Sequence, residues 1–202
     1  MTGVFAHWPN RITAMRFVGA LVLFAILAVW GEGRTEVEPG VMSQLCFWLF
    51  IVIALTDYLD GYLARRDGLV SAFGRIADPF VDKVMVLGTM IFLSVMPWSA
   101  HWFPAWIVVV VLAREFLVTG IRGYVESQGA SFAADRFGKI KMVVQCFAIG
   151  FAFGQGAFPW ESLGLSLELF SWCTHALVWA TLLSSVGSGI SYVLKARAHF
   201  AS

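Results

Sequence analysis

The sequence predicts an all-α protein, a bundle of six membrane-spanning helices with both termini on the cytoplasmic side. Three observations carry that expectation. The 202 residues are 59% hydrophobic and only 13% charged, with nine Trp and eighteen Phe, a balance outside the range of soluble domains. The apolar residues gather into six runs, each near or above the roughly 20 residues that cross a bilayer. Of fourteen Lys and Arg, only Arg34 falls in the loops that six spans place on one side, beside Glu32, Glu36 and Glu38. The other thirteen mark the opposite side, which the positive-inside rule makes the cytoplasm.

The elements follow in order. Asn10 precedes the first apolar run in the manner of an N-cap, and spans are expected at 12–30, 41–65, 77–97, 103–124, 139–158 and 169–194. Pro79 either occupies the first turn of the third helix or kinks a helix that starts near Ser71. No repeat, low-complexity stretch or linker divides the chain, so residues 1–202 read as one membrane domain. Cys46, Cys146 and Cys173 fall in apolar runs without metal-ligand spacing and read as structural thiols. The four histidines are scattered, and none reads as catalytic.

The chemistry concentrates where the second span ends and the third begins. Asp57-Tyr58-Leu59-Asp60-Gly61-Tyr62-Leu63-Ala64-Arg65 is followed, eight residues on, by Gly74-Arg75-Ile76-Ala77-Asp78-Pro79-Phe80-Val81-Asp82-Lys83. Charge inside a membrane span is costly, which makes these four acids functional candidates. Asp57 and Asp60 lie about 60° apart on a helix, with Gly61 and Ala64 on the same stripe; Gly74, Asp78 and Asp82 share another. Carboxylates so gathered cannot all stay ionised unaided. An oxygen-ligated divalent cation, or a pair, would resolve the repulsion, and hard-ligand chemistry points to Mg²⁺ or Mn²⁺. Neutralisation by Arg65, Arg66, Arg75 and Lys83 is the alternative, but it leaves the two glycine-marked stripes without a reason. Asp57 and Asp60 precede Arg65 by five to eight residues, hence lie roughly 8–12 Å inside the boundary.

The complete pattern D-x2-D-G-x2-A-R-x8-G-x3-D-x3-D resembles the signature of the CDP-alcohol phosphatidyltransferases, membrane enzymes that move a phosphatidyl group from CDP-diacylglycerol to an alcohol and release CMP. The resemblance implies a two-metal centre held by Asp57, Asp60 and Asp78, with Asp82 completing it and acting as general base. It also implies a homodimer in the inner membrane of a bacterium, with the active site facing the cytoplasm and no nucleic-acid partner. Asn10, Thr13 and Arg16 recur every third residue. By themselves they read as a cap, a back-bonded hydroxyl and a snorkelling arginine. A similar Asn-x-x-Thr-x-x-Arg opens many members of the family, which implies Asn10 and Thr13 at the edge of the nucleotide site. Gly61, Ala64 and Gly74 would let helices pack closely and would also admit the cytidine and diphosphate. Arg65 would offer the diphosphate a fork of donors, with Asp60 on the same site.

A second constellation comprises Arg114-Glu115, Arg122, Lys139, Lys141 and Gln145. Two readings stand: snorkelling cations with an internal ion pair to Glu115, or a site for a phosphate on the incoming alcohol. The arrangement is similar to the phosphatidylglycerophosphate synthase branch, whose acceptor is sn-glycerol 3-phosphate. That implies acceptor-phosphate binding by Arg114, Arg122, Lys139 and Lys141. Met142 and Gly123-Tyr124 depart from the branch pattern, so inositol phosphate or a free alcohol stays open as acceptor. A cation transporter is the reading from another class. It fits less well, because such proteins favour midplane acids and repeated broken helices.

Overall fold

The computed structural model describes residues 8–31, 33, 37–66, 72–129 and 136–200; the side chains of residues 9, 57–66, 72, 73, 75, 136, 137, 139, 163 and 198–200 lie outside that description. Six helices make up the described fold: α1 (Trp8–Gly31), α2 (Pro39–Arg66), α3 (Ala72–Val95), α4 (Ala105–Ser127), α5 (Arg136–Ala157) and α6 (Leu167–Phe200). One 3-10 turn, Trp160–Leu163, precedes α6, and no strand occurs among the described residues. Helices α1, α2, α5 and α6 are long and apolar enough to cross a membrane on length and composition alone. Helices α3 and α4 are as long but carry Asp78, Asp82 and Lys83, and Arg114, Glu115 and Arg122.

Each helix falls where a run of apolar residues places it, with one correction at the ends. Helix α1 starts at Trp8, so Asn10 sits inside its first turn rather than capping it. Pro9 explains the difference, since its fixed φ suits the first helical turn. Helix α3 starts at Ala72 and keeps Pro79 in its interior, the second of the two expected arrangements; the ring removes one helix hydrogen bond beside Asp78.

The helices close into a ring in the order α1, α2, α5, α6, α4, α3, and α3 also reaches across to α5. Leu23, Leu27, Phe50, Met90, Leu93, Ile107, Ile149 and Phe153 fill its middle. Apolar side chains gain nothing by leaving lipid for this core, so shape complementarity and small residues must hold the helices together. A Cβ on Gly88 of α3 would lie 2.3 Å from the Phe24 ring of α1, and one on Gly156 would lie 2.8 Å from the Ser43 hydroxyl. Val18, Val52, Ile91, Val109, Phe116 and Leu183 are exposed, whereas Asn10, Arg16, Arg114, Glu115, Lys141 and Gln145 are buried. This inside-out distribution is the one a hydrocarbon solvent selects.

The two ends of the ring differ. At one end the chain turns at 96–104 and 158–166, and aromatic rings stack: Trp30 on Trp98 at 4.9 Å and Trp160 on Phe170 at 3.9 Å. Trp160 and Trp102 spend their indole N–H groups on the Gly154 carbonyl and Ser171, as a belt at a membrane–water interface does. At the other end the buried charges converge.

Candidate active site

The charged end is assembled from the first turns of α1, α3 and α5 and the last turns of α2, α4 and α6, because consecutive helices run antiparallel. Asn10, Thr13 and Arg16 are all at most 3% exposed, and two of them reach straight across to α3. Thr13 Oγ1 donates to Asp78 Oδ1 at 2.5 Å. Arg16 Nη2 donates to Asp82 Oδ1 in a salt bridge whose partners are 2% and 14% exposed. The three-residue step on α1 and the four-residue step on α3 climb about 4.5 and 6 Å at roughly 1.5 Å per residue, a difference the long Arg16 side chain spans. Thus the Asp78–Asp82 stripe faces α1, and Gly74 is buried one turn below.

Arg16 is therefore no snorkelling side chain. Its stem does not run to water; it crosses the helix interface to a carboxylate. The signal was its place on the Asn10–Thr13 stripe, since three polar residues at one spacing on an apolar helix require a polar partner. Helix α2 flanks α1 on the other side and carries Asp57, Asp60, Gly61, Ala64 and Arg65 on its last two and a half turns. The side chains of those five residues lie outside the described ones, as does that of Lys139. Among the described residues no three His, Cys, Asp or Glu side chains gather.

Do the residues present suit divalent cations? Asp78 and Asp82 stand one turn apart on one face, with an alcohol and a guanidinium as their partners. Such a set is all-oxygen on the acidic side, the chemistry Mg²⁺ and Mn²⁺ prefer. Arg16 pairs with Asp82, and α2 brings two further acids to the same end of the ring. The donor set fits.

The second constellation forms a compact cluster. Glu115, 5% exposed, accepts from Arg114 Nη1 at 2.5 Å and from Lys141 Nζ of α5. Its other oxygen lies 3.9 Å from Lys83 Nζ, and Lys83 donates to Thr119 at 2.6 Å. Arg114 Nη2 bonds Ser188 of α6, which Gly189 makes possible: a Cβ there would lie 3.1 Å from the Arg114 side chain. Arg122 donates to the Tyr192 hydroxyl at 2.8 Å, and the guanidinium carbons of Arg114 and Arg122 stand 5.8 and 5.7 Å from the Tyr192 ring centre. Arg114, Arg122 and Lys141 thus come together, and Arg114 and Lys141 already share an internal anion. Glu115, Lys83, Ser188 and Tyr192 join them without having been singled out as binding residues. Glu115 had a signal in its adjacency to Arg114; Tyr192, one aromatic in an apolar run, had none.

Arg16 and Lys83 tie the two halves into one polar end. Asp82 faces α1 through Arg16, and its neighbour Lys83 faces α4 through Thr119 and Glu115. Carboxylates suited to cations on one side and an excess of buried cations on the other match a reaction between phosphate groups. The comparisons agree. Residues 6–186 match the sequence model of the CDP-alcohol phosphatidyltransferases. A Bacillus subtilis protein named CDP-diacylglycerol–glycerol-3-phosphate 3-phosphatidyltransferase is 36% identical over 192 residues, 93% of each chain. A Mycoplasma genitalium protein of the same name is 30% identical over 95% of this chain and 86% of its own. One from Rickettsia felis is 27% identical over 95% and 96%. With acids and cations placed at one end of the ring and a family match that covers five helices and reaches into the sixth, the chain belongs to the CDP-alcohol phosphatidyltransferase family of membrane enzymes.

Proposed function

We propose that the protein transfers the phosphatidyl group of CDP-diacylglycerol to sn-glycerol 3-phosphate, giving phosphatidylglycerophosphate and CMP. The observation that carries this reading is the meeting of Asp78 and Asp82 with the buried α1 stripe, beside a buried cluster in which cations outnumber carboxylates. The relatives' names supply the acceptor. The same reading places residues 1–202 as one domain of six spans in the bacterial inner membrane, with both termini and the active site cytoplasmic. The thirteen-to-one cation bias supports that orientation, and the family resemblance supports a homodimer.

In this account Asn10, Thr13, Asp60, Gly61, Ala64, Arg65 and Gly74 hold the cytidine diphosphate of the donor. Asp57, Asp60, Asp78 and Asp82 hold two divalent cations, Mg²⁺ or Mn²⁺, which when bound supply charge neutralisation to the diphosphate. Thr13 and Arg16 orient Asp78 and Asp82. Arg114, Arg122, Lys139 and Lys141 bind the acceptor phosphate and set its primary hydroxyl in line with the phosphorus that bears diacylglycerol. Asp82 takes the hydroxyl proton as the new P–O bond forms and the bond to the CMP oxygen breaks. The work is chiefly positioning and charge complementarity. Among the described residues no Ser or Cys is placed as a covalent nucleophile, which supports a direct displacement.

The test is label exchange in purified protein. With both substrates, CMP and phosphatidylglycerophosphate should appear in equal amounts. Without acceptor, labelled CMP should not enter CDP-diacylglycerol; exchange would demand a phosphatidyl-enzyme and reject direct displacement.

A further inference from the structure

We propose that Glu115 is a positioning residue for the acceptor: it brackets Arg114, Lys141 and Lys83 into a fixed array that takes a phosphate monoester dianion. The inference rests on the acceptor reading above and adds to it a residue that never touches substrate. One carboxylate meets three cations from three helices: Arg114 on its own helix, Lys141 from α5 and Lys83 from α3. Thr119 closes the arrangement, accepting from Lys83 and donating to the Glu115 carbonyl, each at 2.6 Å. Arg122 stands beyond, against the Tyr192 ring.

The charge does not balance. Three cations against Glu115 leave an excess of two: Arg114 and Lys141 are buried and Lys83 is 32% exposed, while the half-buried Arg122 stands outside this set, against the Tyr192 hydroxyl and ring. Excess buried cations are strongly disfavoured unless an anion completes them. Two buried donors on α4 and α5 also lack protein partners. Arg114 Nε is buried and unbonded, as is Nε2 of Gln145, which is 3% exposed and one turn along α5 from Lys141. Buried donors normally find acceptors. A cluster with surplus charge and surplus donors is built for a second anion with several oxygens, and two missing negative charges correspond to a phosphate monoester rather than a diester or a neutral alcohol. Glu115 cannot be that anion's ligand, being an anion itself. Without it, three like charges would repel one another and Lys141 would lose the carboxylate it bonds.

The experiment compares wild type, Glu115→Gln and Glu115→Asp as full-length purified enzymes, reading KM for each substrate, kcat, and calorimetric binding of glycerol 3-phosphate. Glu115→Gln should raise KM and Kd for glycerol 3-phosphate roughly ten- to a hundredfold, the scale of a charge-assisted phosphate contact, with KM for CDP-diacylglycerol unchanged. Glu115→Asp, which keeps the charge, should recover part of that loss. In a Lys141→Ala background Glu115→Gln should add less than it does in the wild type, because the share of its effect that runs through Lys141 is already gone. Equal rises in both KM values, or a fall in kcat alone, would make Glu115 a structural residue and overturn the proposal. A lower KM for glycerol 3-phosphate would overturn it too, since Glu115 would then compete with the phosphate. A wild-type enzyme indifferent to glycerol 3-phosphate would overturn the acceptor reading itself, a result visible before any variant is made.

Discussion

Replacing Gly88 by Ala tests whether close contact between α1 and α3 sets the register of the site. The added methyl would lie 2.3 Å from Cζ of Phe24 and 2.9 Å from both flanking ring carbons. Carbon atoms settle at roughly 3.5–4.0 Å, so the two groups overlap by more than an ångström. Phe24 cannot turn aside freely, because its ring stacks on Phe92 with centroids 5.6 Å apart. Either that stack is lost or α1 moves off α3. Overpacking of this kind costs about 1–3 kcal/mol, and losing an aromatic pair about 0.5–1.5 kcal/mol. Gly88 lies six residues from Asp82, so an outward shift of α1 also loosens the Arg16–Asp82 contact. Thermal inactivation of the purified variant in detergent should begin roughly 2–12 °C lower, taking 2–4 °C per kcal/mol for a chain of this size. Activity before heating should fall as well. Phe24→Leu on the Gly88→Ala background should restore both, since the shorter side chain vacates the contested space. An unchanged midpoint in Gly88→Ala, or no rescue by Phe24→Leu, would refute the α1–α3 packing described here.

Further outcomes follow from the same geometry. With the three native cysteines replaced, Glu38→Cys and Glu161→Cys should label from outside intact cells and Gln128→Cys should not; the reverse pattern would invert the membrane orientation. A chelator should abolish activity and Mg²⁺ or Mn²⁺ restore it. Asp78→Asn should weaken the metal dependence, whereas Asp82→Asn should retain more metal affinity yet lose most of its rate, and full activity in Asp82→Asn would reject its role as base. Arg16→Ala removes one partner of a pair whose members are 2% and 14% exposed. Breaking a buried pair costs about 3–5 kcal/mol, and Asp82's access to water argues for the low end, so a loss in kcat/KM of roughly two orders of magnitude is expected. Arg16→Lys should lose less; equal activity in Arg16→Ala and wild type would show that Asp82 needs no such support.

How much of this was legible in the sequence depends on the kind of signal. Helix positions were, because 20-residue apolar runs admit one backbone solution in a bilayer. The ends were less so. Pro9 drew the start of α1 ahead of Asn10, and Pro79 was accommodated within α3. Spacing correctly put Asp78 and Asp82 on one face, but spacing within a helix cannot say which neighbour that face meets, and the neighbour is α1. Arg16 looked like a snorkelling side chain for the same reason: depth and partner are tertiary properties. The Arg114–Glu115–Lys141 arrangement mixes both. Its members were visible as charges in apolar runs, but only the packing of α4 on α3 and the reach of α5 decide that one carboxylate meets three cations.

The central claim is the acceptor, and a panel of alcohols tests it most directly. Purified wild-type enzyme with CDP-diacylglycerol and a divalent cation should be offered glycerol 3-phosphate, inositol phosphate, free glycerol and serine in parallel, with CMP and lipid product measured for each. The account predicts CMP release with glycerol 3-phosphate, matched mole for mole by phosphatidylglycerophosphate, and background release with the unphosphorylated alcohols. Turnover of inositol phosphate or a free alcohol, with glycerol 3-phosphate ignored, would contradict the acceptor assignment while leaving family membership in place.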